Sequence, residues 1–242
     1  MPEPGKDEDA LAHRYIRNAG EPTYDVEERR HIDVPELCDG ADIDALFTRF
    51  YQTNQWGSGE TRSGPGSERA RTRQVVRDLN RLIRDFGIRS MLDAPCGDFN
   101  WMRDVSLEAV DYLGCDIVED MIAANSAKYG GWARTFKKLD ITVDPMPQVD
   151  LILCRDTLVH FSYKRAFATL SNFRASGSKY FLTTTFRETE ENVDIGTGWW
   201  RPINLQYPPF SFPEPKEVLL DHSDDHYDDK VLALWDLQAL RW

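Results

Sequence analysis

The chain has 242 residues, of which 41% are hydrophobic and 29% are charged, and its formal net charge is −12 at pH 7. This length suffices for one domain with a sizeable core, or for a domain plus a terminal extension. The acidic balance argues against a nucleic acid as the main partner, because binding to phosphates needs clustered Lys and Arg. No apolar run approaches the ~20 residues of a membrane span, and the polar residues 1–9 show no secretory signal.

The four cysteines are scattered and include no C-x-x-C pair, which disfavours a zinc ribbon; they are Cys38, Cys96, Cys115 and Cys154. Three of them fall at the ends of predicted strands. We interpret them as reduced, buried thiols, which predicts a cytoplasmic protein.

The first part of the chain predicts an extension rather than a core. Residues 1–40 are charged and contain four prolines, so we expect a loose arm with a short helix near residues 7–18. Residues 42–52 predict a short amphipathic helix with apolar side chains at helical spacing: Ile43, Leu46, Phe47 and Phe50. Residues 54–67 contain four glycines and one proline and form a loop, either a solvated linker or a lid anchored by Trp56.

Strands and helices alternate in the rest of the chain. Ser67 is expected to cap a helix that Gly87 ends. Strands are predicted over 89–93, 111–116, 136–141, 149–155 and 179–186, and helices over 117–129 and 162–175. This alternation predicts a mostly parallel sheet with crossover helices on both of its faces.

The end of the chain changes character. Residues 196–215 form a long aromatic and proline-rich segment without helical periodicity. Two closing strands are predicted over 217–222 and 230–237. The cluster of acids within residues 221–229 is interpreted as a solvated turn.

A tight turn of small residues follows the predicted strand at 89–93. The strand ends in Asp93, the turn reads Ala94-Pro95-Cys96-Gly97, and residues 98–102 predict the first turn of a helix. A strand, a small-residue loop and a helix in this order let the backbone approach a ligand and present unpaired N–H groups to an anion. The alternative is an ordinary strand-to-helix turn.

Three successive predicted strands end in or near an acid: Asp93, Asp116 and Asp140. The carboxyl ends of parallel strands share one edge of an open sheet, where ligands bind at the switch in strand order. Asp116 is placed to accept hydrogen bonds from both hydroxyls of a ribose, since an ionised carboxylate offers only acceptors. Asp140 with Ile141 suits an adenine, as an acceptor for its amino group and an apolar side chain against its ring. The alternative is that these acids only cap helices.

Taken together, these motifs resemble the S-adenosylmethionine (SAM) binding core of the class I methyltransferases, over residues 88–186. The loop keeps Gly97 but has Pro95 and Phe99 at two places where the family has glycine. An NAD-binding loop, which is the alternative, requires glycine at all three places. The resemblance implies a three-layer αβα, Rossmann-like α/β fold with seven strands in the order 3-2-1-4-5-7-6, the last antiparallel, and an N-terminal helical and lid extension.

The resemblance also implies SAM as the cofactor and gives roles to residues of this chain. Gly97 lies under the methionine part of SAM, Asp116 holds the ribose, and Asp140 with Ile141 holds the adenine. The full set predicted to bind the cofactor is Trp56, Asp93, Ala94, Gly97, Asp116, Ile117, Asp140, Ile141 and Arg155. Residues 154–161, after the fourth strand of the sheet, face the transferred methyl group.

Asp156 and His160 are the predicted catalytic residues. They are four apart, so both point the same way if residues 156–160 form a helical turn. His160 could then take a proton from a hydroxyl acceptor, with Asp156 orienting His160 or binding an acceptor hydroxyl. The alternative is that His160 packs in the helix cap and bonds to the backbone. No metal is predicted, because one His and one Asp are too few ligands.

The segment after the fifth strand of the sheet predicts the acceptor site. Residues 196–204 read GTGWWRPIN, in which a tryptophan can stack on a flat apolar face while the arginine and the asparagine bond to hydroxyls or an anion. The residues predicted to bind the substrate are Asn100, Trp101, Trp199, Trp200, Arg201 and Asn204. A packed loop over the sheet edge is the alternative.

The 56–67 and 196–204 segments resemble those of bacterial methyltransferases of saccharide and secondary-metabolite biosynthesis. The resemblance implies a cytoplasmic SAM-dependent O-methyltransferase of a small polar acceptor, with a sugar hydroxyl favoured; an N-methyltransferase and a catalytically silent SAM-binding protein are the alternatives. Two units are predicted, an arm, helix and lid at 1–66 and the SAM-binding domain at 67–242. The expected partner is a small-molecule substrate, without nucleic acid or membrane span, and a homo-oligomer is compatible with the sequence.

Overall fold

The computed structural model describes residues 17–18, 42–223 and 227–242. The α-helices in these residues are α1 (Ile43–Thr53), α2 (Arg69–Asp85), α3 (Glu119–Tyr129) and α4 (Tyr163–Ala175). The strands are β1 (Arg17–Asn18), β2 (Ser90–Asp93), β3 (Asp111–Asp116), β4 (Arg134–Lys138), β5 (Leu151–Cys154), β6 (Tyr180–Phe186), β7 (Trp199–Trp200), β8 (Glu217–Leu220) and β9 (Lys230–Asp236). Short 3₁₀ helices span Pro65–Ser67, Met102–Asp104, Leu158–His160 and Leu237–Ala239.

The expected loose arm and its helix near residues 7–18 lie outside the described residues, apart from residues 17 and 18 in β1. β1 pairs antiparallel with β7. No helix in the described parts of the chain combines the length and the apolar character that crossing a bilayer requires.

Seven strands form one sheet in the order β4-β3-β2-β5-β6-β9-β8. Neighbouring strands from β4 to β6 are parallel, whereas β9 runs antiparallel to both β6 and β8. Numbered along the chain within the sheet, this is the order 3-2-1-4-5-7-6, which confirms the predicted topology. The order reverses between β2 and β5, so a crevice is expected beyond the carboxyl ends of those strands.

Alternate side chains of the central strands pack into two cores, one on each face of the sheet. In β5, Leu151 and Leu153 join the core formed with α2 and α3, while Ile152 and Cys154 join the core formed with α4. All four residues are fully buried, as expected of a parallel strand covered on both faces. Full burial of a large aliphatic side chain stabilises the folded state by roughly 1.5–3 kcal/mol relative to its exposure. These two cores produce the predicted three-layer αβα architecture.

Helix α1 packs at the carboxyl edge of the sheet, on the same side as α4. The Asp42 carboxylate caps it by accepting the N–H groups of Asp44 and Ala45. Phe47 and Phe50 then face inward, with the Phe47 ring 6.1 Å from that of Phe161. The predicted amphipathic helix is therefore present and borders the crevice.

Helix α2 starts one residue later than the sequence predicts. Ser67 ends a 3₁₀ turn, and Glu68 occupies the N-cap position without a capping side-chain hydrogen bond. The end of the helix agrees with the prediction, because Gly87 has φ +62°, a left-handed conformation that glycine adopts without strain. The side chain expected to cap the helix instead lines the crevice.

The helix expected over residues 98–102 is absent, and turns leading to the 3₁₀ helix Met102–Asp104 replace it. The cause is Phe99, whose φ of +59° is incompatible with a right-handed helix. Its ring is buried among those of Tyr112, Tyr129 and Phe136, at centroid distances of 5.0–5.3 Å. The aromatic packing offsets a backbone strain of about 1–3 kcal/mol. The left-handed conformation also explains why glycine suits this place in the family pattern.

Candidate functional site

A cavity of about 550 Å³ opens beyond the carboxyl ends of β2, β3, β4 and β5. α1 and the stretch formed by residues 56–67, here called the covering segment, close it from the other side. The predicted site residues that line it are Trp56, Asp93, Gly97, Trp101, Asp116, Ile117, Asp140, Ile141, Arg155, Asp156, His160 and Trp200. Those that do not border it are Ala94, Asn100, Trp199, Arg201 and Asn204.

The carboxylates at the ends of β2 and β3 are both buried. Asp93 accepts a hydrogen bond of 2.6 Å from the Tyr112 hydroxyl. Burial raises the pKa of Asp93 to about 7, against the lowering effect of that bond. Asp116 accepts the N–H groups of Gly97 and Val118 at 3.2 Å and 3.1 Å. Burial also raises the pKa of Asp116, to about 6, although these backbone bonds favour its ionised form.

The sequence predicted that Asp140 lies within a strand. In the structure it lies two residues beyond the end of β4. Its Oδ1 accepts the N–H and the hydroxyl of Thr142 at 2.8 Å and 2.6 Å. The apolar residues that follow β3 and β4 and also line the cavity are Ile117, Val118, Met121, Leu139 and Ile141. This end of the cavity is therefore an apolar slot with a carboxylate at its rim.

The covering segment is packed against the loop after β2. The Asp98 carboxylate accepts hydrogen bonds from the Thr61 hydroxyl at 2.8 Å and from the Arg62 N–H at 2.7 Å. A Cβ added at Gly97 would collide with the Ser63 hydroxyl, so the segment can approach this closely only because residue 97 is glycine. The segment thus borders the cavity directly and does not extend as a solvated linker.

Asn100 contributes to the same contact and not to the cavity, which corrects the prediction that it binds substrate. Its side-chain amide donates to Glu60 Oε1 at 2.6 Å and to the Ser67 carbonyl at 3.1 Å. Ala94 likewise contacts neighbouring backbone, since its N–H donates to the Leu153 carbonyl at 2.8 Å. Both residues shape the loop from within.

His160 ends the 3₁₀ helix after β5, and its Nδ1 lies 3.0 Å from the carbonyl oxygen of Trp199. A carbonyl oxygen only accepts, so Nδ1 carries the proton and Nε2 is an unprotonated acceptor. The His160 ring packs 4.7 Å from the Trp56 ring, in the covering segment. Burial lowers the pKa of His160 to about 4, so the imidazole is neutral at neutral pH.

Asp156 does not form the expected helical turn with His160. Its φ is +55°, and the 3₁₀ helix begins only at Leu158. Thr184 fixes the residue: its hydroxyl accepts the Asp156 N–H at 2.8 Å and donates to Oδ1 at 3.1 Å. Oδ2 accepts a hydrogen bond from Lys230 Nζ at 2.8 Å. The carboxylate is therefore oriented by β6 and β9 and not by the histidine.

Arg155 belongs to a buried ionic cluster that the sequence did not predict. Its Nε and Nη2 donate to the two carboxylate oxygens of Asp221, at 2.9 Å and 3.1 Å. Nη2 also donates to the Gly66 carbonyl at 2.8 Å. Asp221 is fully buried, which corrects its assignment to a solvated turn. Arg155 borders the cavity, but its donors serve the protein, which does not support a direct cofactor contact.

Lys230 completes the cluster, with Nζ 2.9 Å from the Ser223 hydroxyl and 3.4 Å from Asp221 Oδ2. The Asp156 side chain is 29% exposed, against 5% or less for its charged partners, so it is the most accessible charged member of the cluster. Burial alone would raise the pKa of Asp156, but Lys230 and Arg155 hold it below its ordinary value. The available signal in the sequence was the single lysine that opens the apolar strand KVLALWD.

Of the predicted acceptor segment, Trp200 borders the cavity. Its ring stands perpendicular to that of Phe186 at 5.8 Å and lies 5.0 Å from that of Tyr227. Trp199 contributes its carbonyl, which holds His160. Of the two tryptophans predicted to bind the acceptor, only Trp200 therefore lines the cavity.

Arg201 and Asn204 shape the loop rather than the cavity, which corrects the prediction that they bind acceptor hydroxyls. Arg201 is fully buried and donates to the carbonyls of Val193 and Leu158, at 2.9 Å and 2.8 Å. The Asn204 amide donates to the Thr189 carbonyl at 2.9 Å. Buried backbone carbonyls need such partners, and this packed loop supplies them internally.

Comparison with known proteins identifies the fold. No family model and no curated protein matches the chain. The 1,6-didemethyltoxoflavin-N1-methyltransferase of Burkholderia thailandensis, solved with bound 1,6-didemethyltoxoflavin and S-adenosylhomocysteine, is 14% identical and has a TM-score of 0.57 over 90% of this chain and 93% of its own. The magnesium protoporphyrin IX methyltransferase of Synechocystis PCC 6803, solved with bound SAH, is 16% identical, with a TM-score of 0.52 over 78% and 92%. The chain thus has the class I, Rossmann-like fold of the SAM-dependent methyltransferases.

Proposed function

We propose that the chain is a SAM-dependent methyltransferase that methylates a hydroxyl of a small polar acceptor, with a sugar hydroxyl as the favoured class. One observation carries the proposal: a neutral histidine, with Nε2 free to accept a proton, lies in the same cavity as the carboxylates at the strand ends. The fold and the SAH bound to its structural neighbours support the choice of cofactor.

The donor and acceptor groups of the cavity fit SAM. Asp116 would accept hydrogen bonds from the ribose hydroxyls, and the adenine would enter the apolar slot between Ile117 and Ile141, beside Asp140. The methionine part would lie beside Gly97, which lines the cavity with φ +54°. When bound, SAM would supply a sulfonium whose methyl group is transferred by in-line displacement.

In this proposal His160 Nε2 accepts the proton of the acceptor hydroxyl. Its low pKa makes it a weak base, so its contribution is modest and most of the catalysis comes from positioning. Asp156 accepts a hydrogen bond from the acceptor, and Trp200 with Phe186 forms an apolar wall beside it. The covering segment excludes water from the cavity.

The test combines labelled SAM, a panel of sugars, phenols and amines, and detection of methylated products by mass spectrometry. We expect His160→Gln to lower turnover on a hydroxyl acceptor roughly 100-fold while SAM affinity stays within about two-fold. The control is His222→Gln, at an exposed histidine outside the cavity lining.

Because the pKa of His160 is about 4, the wild-type rate should be flat around neutral pH and fall only in acid. Unchanged turnover in His160→Gln would reject His160 as the base.

An amine acceptor is the second candidate, and the pKa of His160 favours it. An amine that arrives neutral needs no strong base, and the Asp156 carboxylate suits a donor of that kind. Methylation of amines alone in the same panel would select this candidate. SAM binding without transfer to any acceptor would select the catalytically silent alternative.

A further inference from the structure

The loop after β2 has few N–H groups left for an anion. The N–H groups of Cys96, Gly97 and Asp98 donate to the Cys115 carbonyl, Asp116 Oδ2 and Ser63 Oγ, at 2.7 Å, 3.2 Å and 2.9 Å. The N–H of Asn100 donates to Asp98 Oδ1 at 3.3 Å. Residues 94–110, which the structure describes in full, contain no α-helix whose first turn could supply others. The usual way in which such a loop binds an anion is therefore closed here.

Several acidic side chains lie around Gly97, so the lack of free N–H groups in the loop matters for a ligand that carries an anion. The carboxylates of Asp93, Asp98 and Asp116 all belong to this loop or to the strand ends beside it. An amino acid bound over Gly97 would bring its own carboxylate into this acidic environment. Like charges repel one another more when they are partly desolvated than in water. A cation facing the same part of the cavity would remove the repulsion.

Four residues with cationic side chains line the cavity, and Arg62 is the exposed one among them: Arg62, Arg71, Arg155 and Lys230. Arg155 and Lys230 are paired with Asp221 and Asp156. Arg71 lies 3.7 Å from a carboxylate oxygen of Glu68 and donates to the Ser223 carbonyl. Within residues 42–223 and 227–242, the Arg62 guanidinium has neither a hydrogen-bond partner nor an acidic partner. It is the lining cation that can serve a ligand without breaking a protein contact.

The covering segment also fixes Arg62 beside the loop. The Arg62 N–H donates to Asp98 Oδ2 at 2.7 Å. On its two sides, the hydroxyls of Thr61 and Ser63 donate to the same carboxylate at 2.8 Å and 3.1 Å. Ser63 is the residue that contacts Gly97. The backbone of Arg62 is therefore held one residue away from the floor of the proposed methionine site.

We propose that Arg62 binds the carboxylate of the cofactor's amino-acid moiety, and that Asp98 is the positioning residue that holds Arg62 over the loop. A guanidinium matches a carboxylate with two parallel hydrogen bonds, which makes arginine the suitable cation. This inference assumes only one part of the proposed function, namely that the chain binds SAM. It does not depend on the identity of the methyl acceptor.

Calorimetry with two probes tests this assignment. S-adenosylhomocysteine contains the carboxylate, whereas 5′-methylthioadenosine keeps the adenosine and the thioether but lacks the amino acid. We expect Arg62→Met to weaken S-adenosylhomocysteine binding roughly 10- to 100-fold and to leave 5′-methylthioadenosine within about two-fold. Arg62→Lys should recover part of the loss, because it keeps the charge without the fork geometry.

The matched control is Arg71→Met, a second arginine on the cavity wall, which should leave both affinities unchanged. Asp98→Asn should weaken S-adenosylhomocysteine more than 5′-methylthioadenosine, and Asp98→Glu should restore part of the difference. Equal losses for both probes in Arg62→Met, or no loss for either, would overturn the assignment. Wild-type protein that binds neither probe would instead overturn SAM as the cofactor, so the two failures are distinct.

Discussion

Among single residues, Asp116 shows how burial and hydrogen bonding compete for one carboxyl group. Desolvation raises its pKa to about 6, while the N–H groups of Val118, Gly97 and Ile117 favour the ionised form. The group thus titrates near the pH at which proteins work, although it is an ordinary aspartate by sequence. The affinity for a ligand that needs the ionised form of Asp116 will therefore depend on pH near this pKa.

We predict that Asp116→Asn weakens S-adenosylhomocysteine binding roughly 10-fold or more, because an amide cannot accept from both ribose hydroxyls. The asparagine carbonyl can still accept one of the two N–H groups that Asp116 binds, that of Gly97 or that of Val118, so one of these two contacts should remain. In the wild type the affinity should fall as the pH drops below about 6, since protonation removes an acceptor. Calorimetry across this range should show no such dependence in the variant. A wild-type affinity independent of pH would count against a ribose contact.

Among the structural elements, the covering segment is held by few but well-defined contacts. Asp98 accepts from three consecutive residues, 61–63, and Ser58 donates to Glu68 at 2.8 Å. Apolar contact is concentrated at Trp56, which packs on His160 and Phe50. The polar contacts of residues 61–63 converge on the single Asp98 carboxylate, so this part of the segment can open locally while the sheet remains folded.

We predict that the amides of residues 61–63 exchange with solvent faster without ligand than with S-adenosylhomocysteine bound. Asp98→Asn should raise their exchange rate further, because the amide loses acceptor capacity for the three donors. Hydrogen–deuterium exchange measured by mass spectrometry gives both comparisons. The control is Asp111→Asn, which removes an exposed carboxylate at the start of β3. Identical exchange with and without ligand would mean that the segment does not act as a lid.

In the whole molecule, the buried ionic cluster ties distant parts of the chain together. It joins residue 155 after β5, residue 221 after β8 and Lys230 in β9, and Arg155 also reaches the Gly66 carbonyl of the covering segment. Burial alone would raise the pKa of Asp221, but Arg155 and Lys230 hold it well below its ordinary value. Removing one partner of such a cluster leaves uncompensated buried charge.

We predict that Asp221→Asn lowers the free energy of unfolding by about 3–5 kcal/mol, measured by urea denaturation at neutral pH. Asp236→Asn is the control; it breaks the exposed pair with Lys216, which is worth about 0–1 kcal/mol. Because the pKa of Asp221 is lowered in the folded state, its contribution is complete above the ordinary carboxyl pKa and is lost as the pH falls. The wild type and the variant should therefore converge in acid. Equal stability at neutral pH would contradict the role of the cluster.

The sheet could be predicted from the sequence because its signals are local. The apolar run around β5 and the acids that end β2 and β3 each lie within a few residues of what they determine. The strand order then followed from the family resemblance. The apolar strand with one lysine, β9, also appeared near its predicted position.

The ionic cluster and the loop geometry could not be predicted in this way. Arg155 and Asp221 are 66 residues apart, and no local pattern pairs an arginine after one strand with an aspartate after another. Arg201 and Asn204 have the composition of a ligand site, but the long loop uses their donors for its own carbonyls. Polar residues in a loop serve either purpose, and only the packing decides which.

The left-handed conformation of Phe99 has a consequence for the thermodynamics of ligand binding. A loop built on several glycines samples many conformations, and a ligand that selects one of them loses free energy to that ordering. Here the aromatic ring is locked among Tyr112, Tyr129 and Phe136, so the loop is already pre-organised. We therefore expect a ligand over Gly97 to bind with a small entropic penalty. The packing of Phe99 in the hydrophobic core keeps this penalty small, because it fixes the loop before the ligand binds.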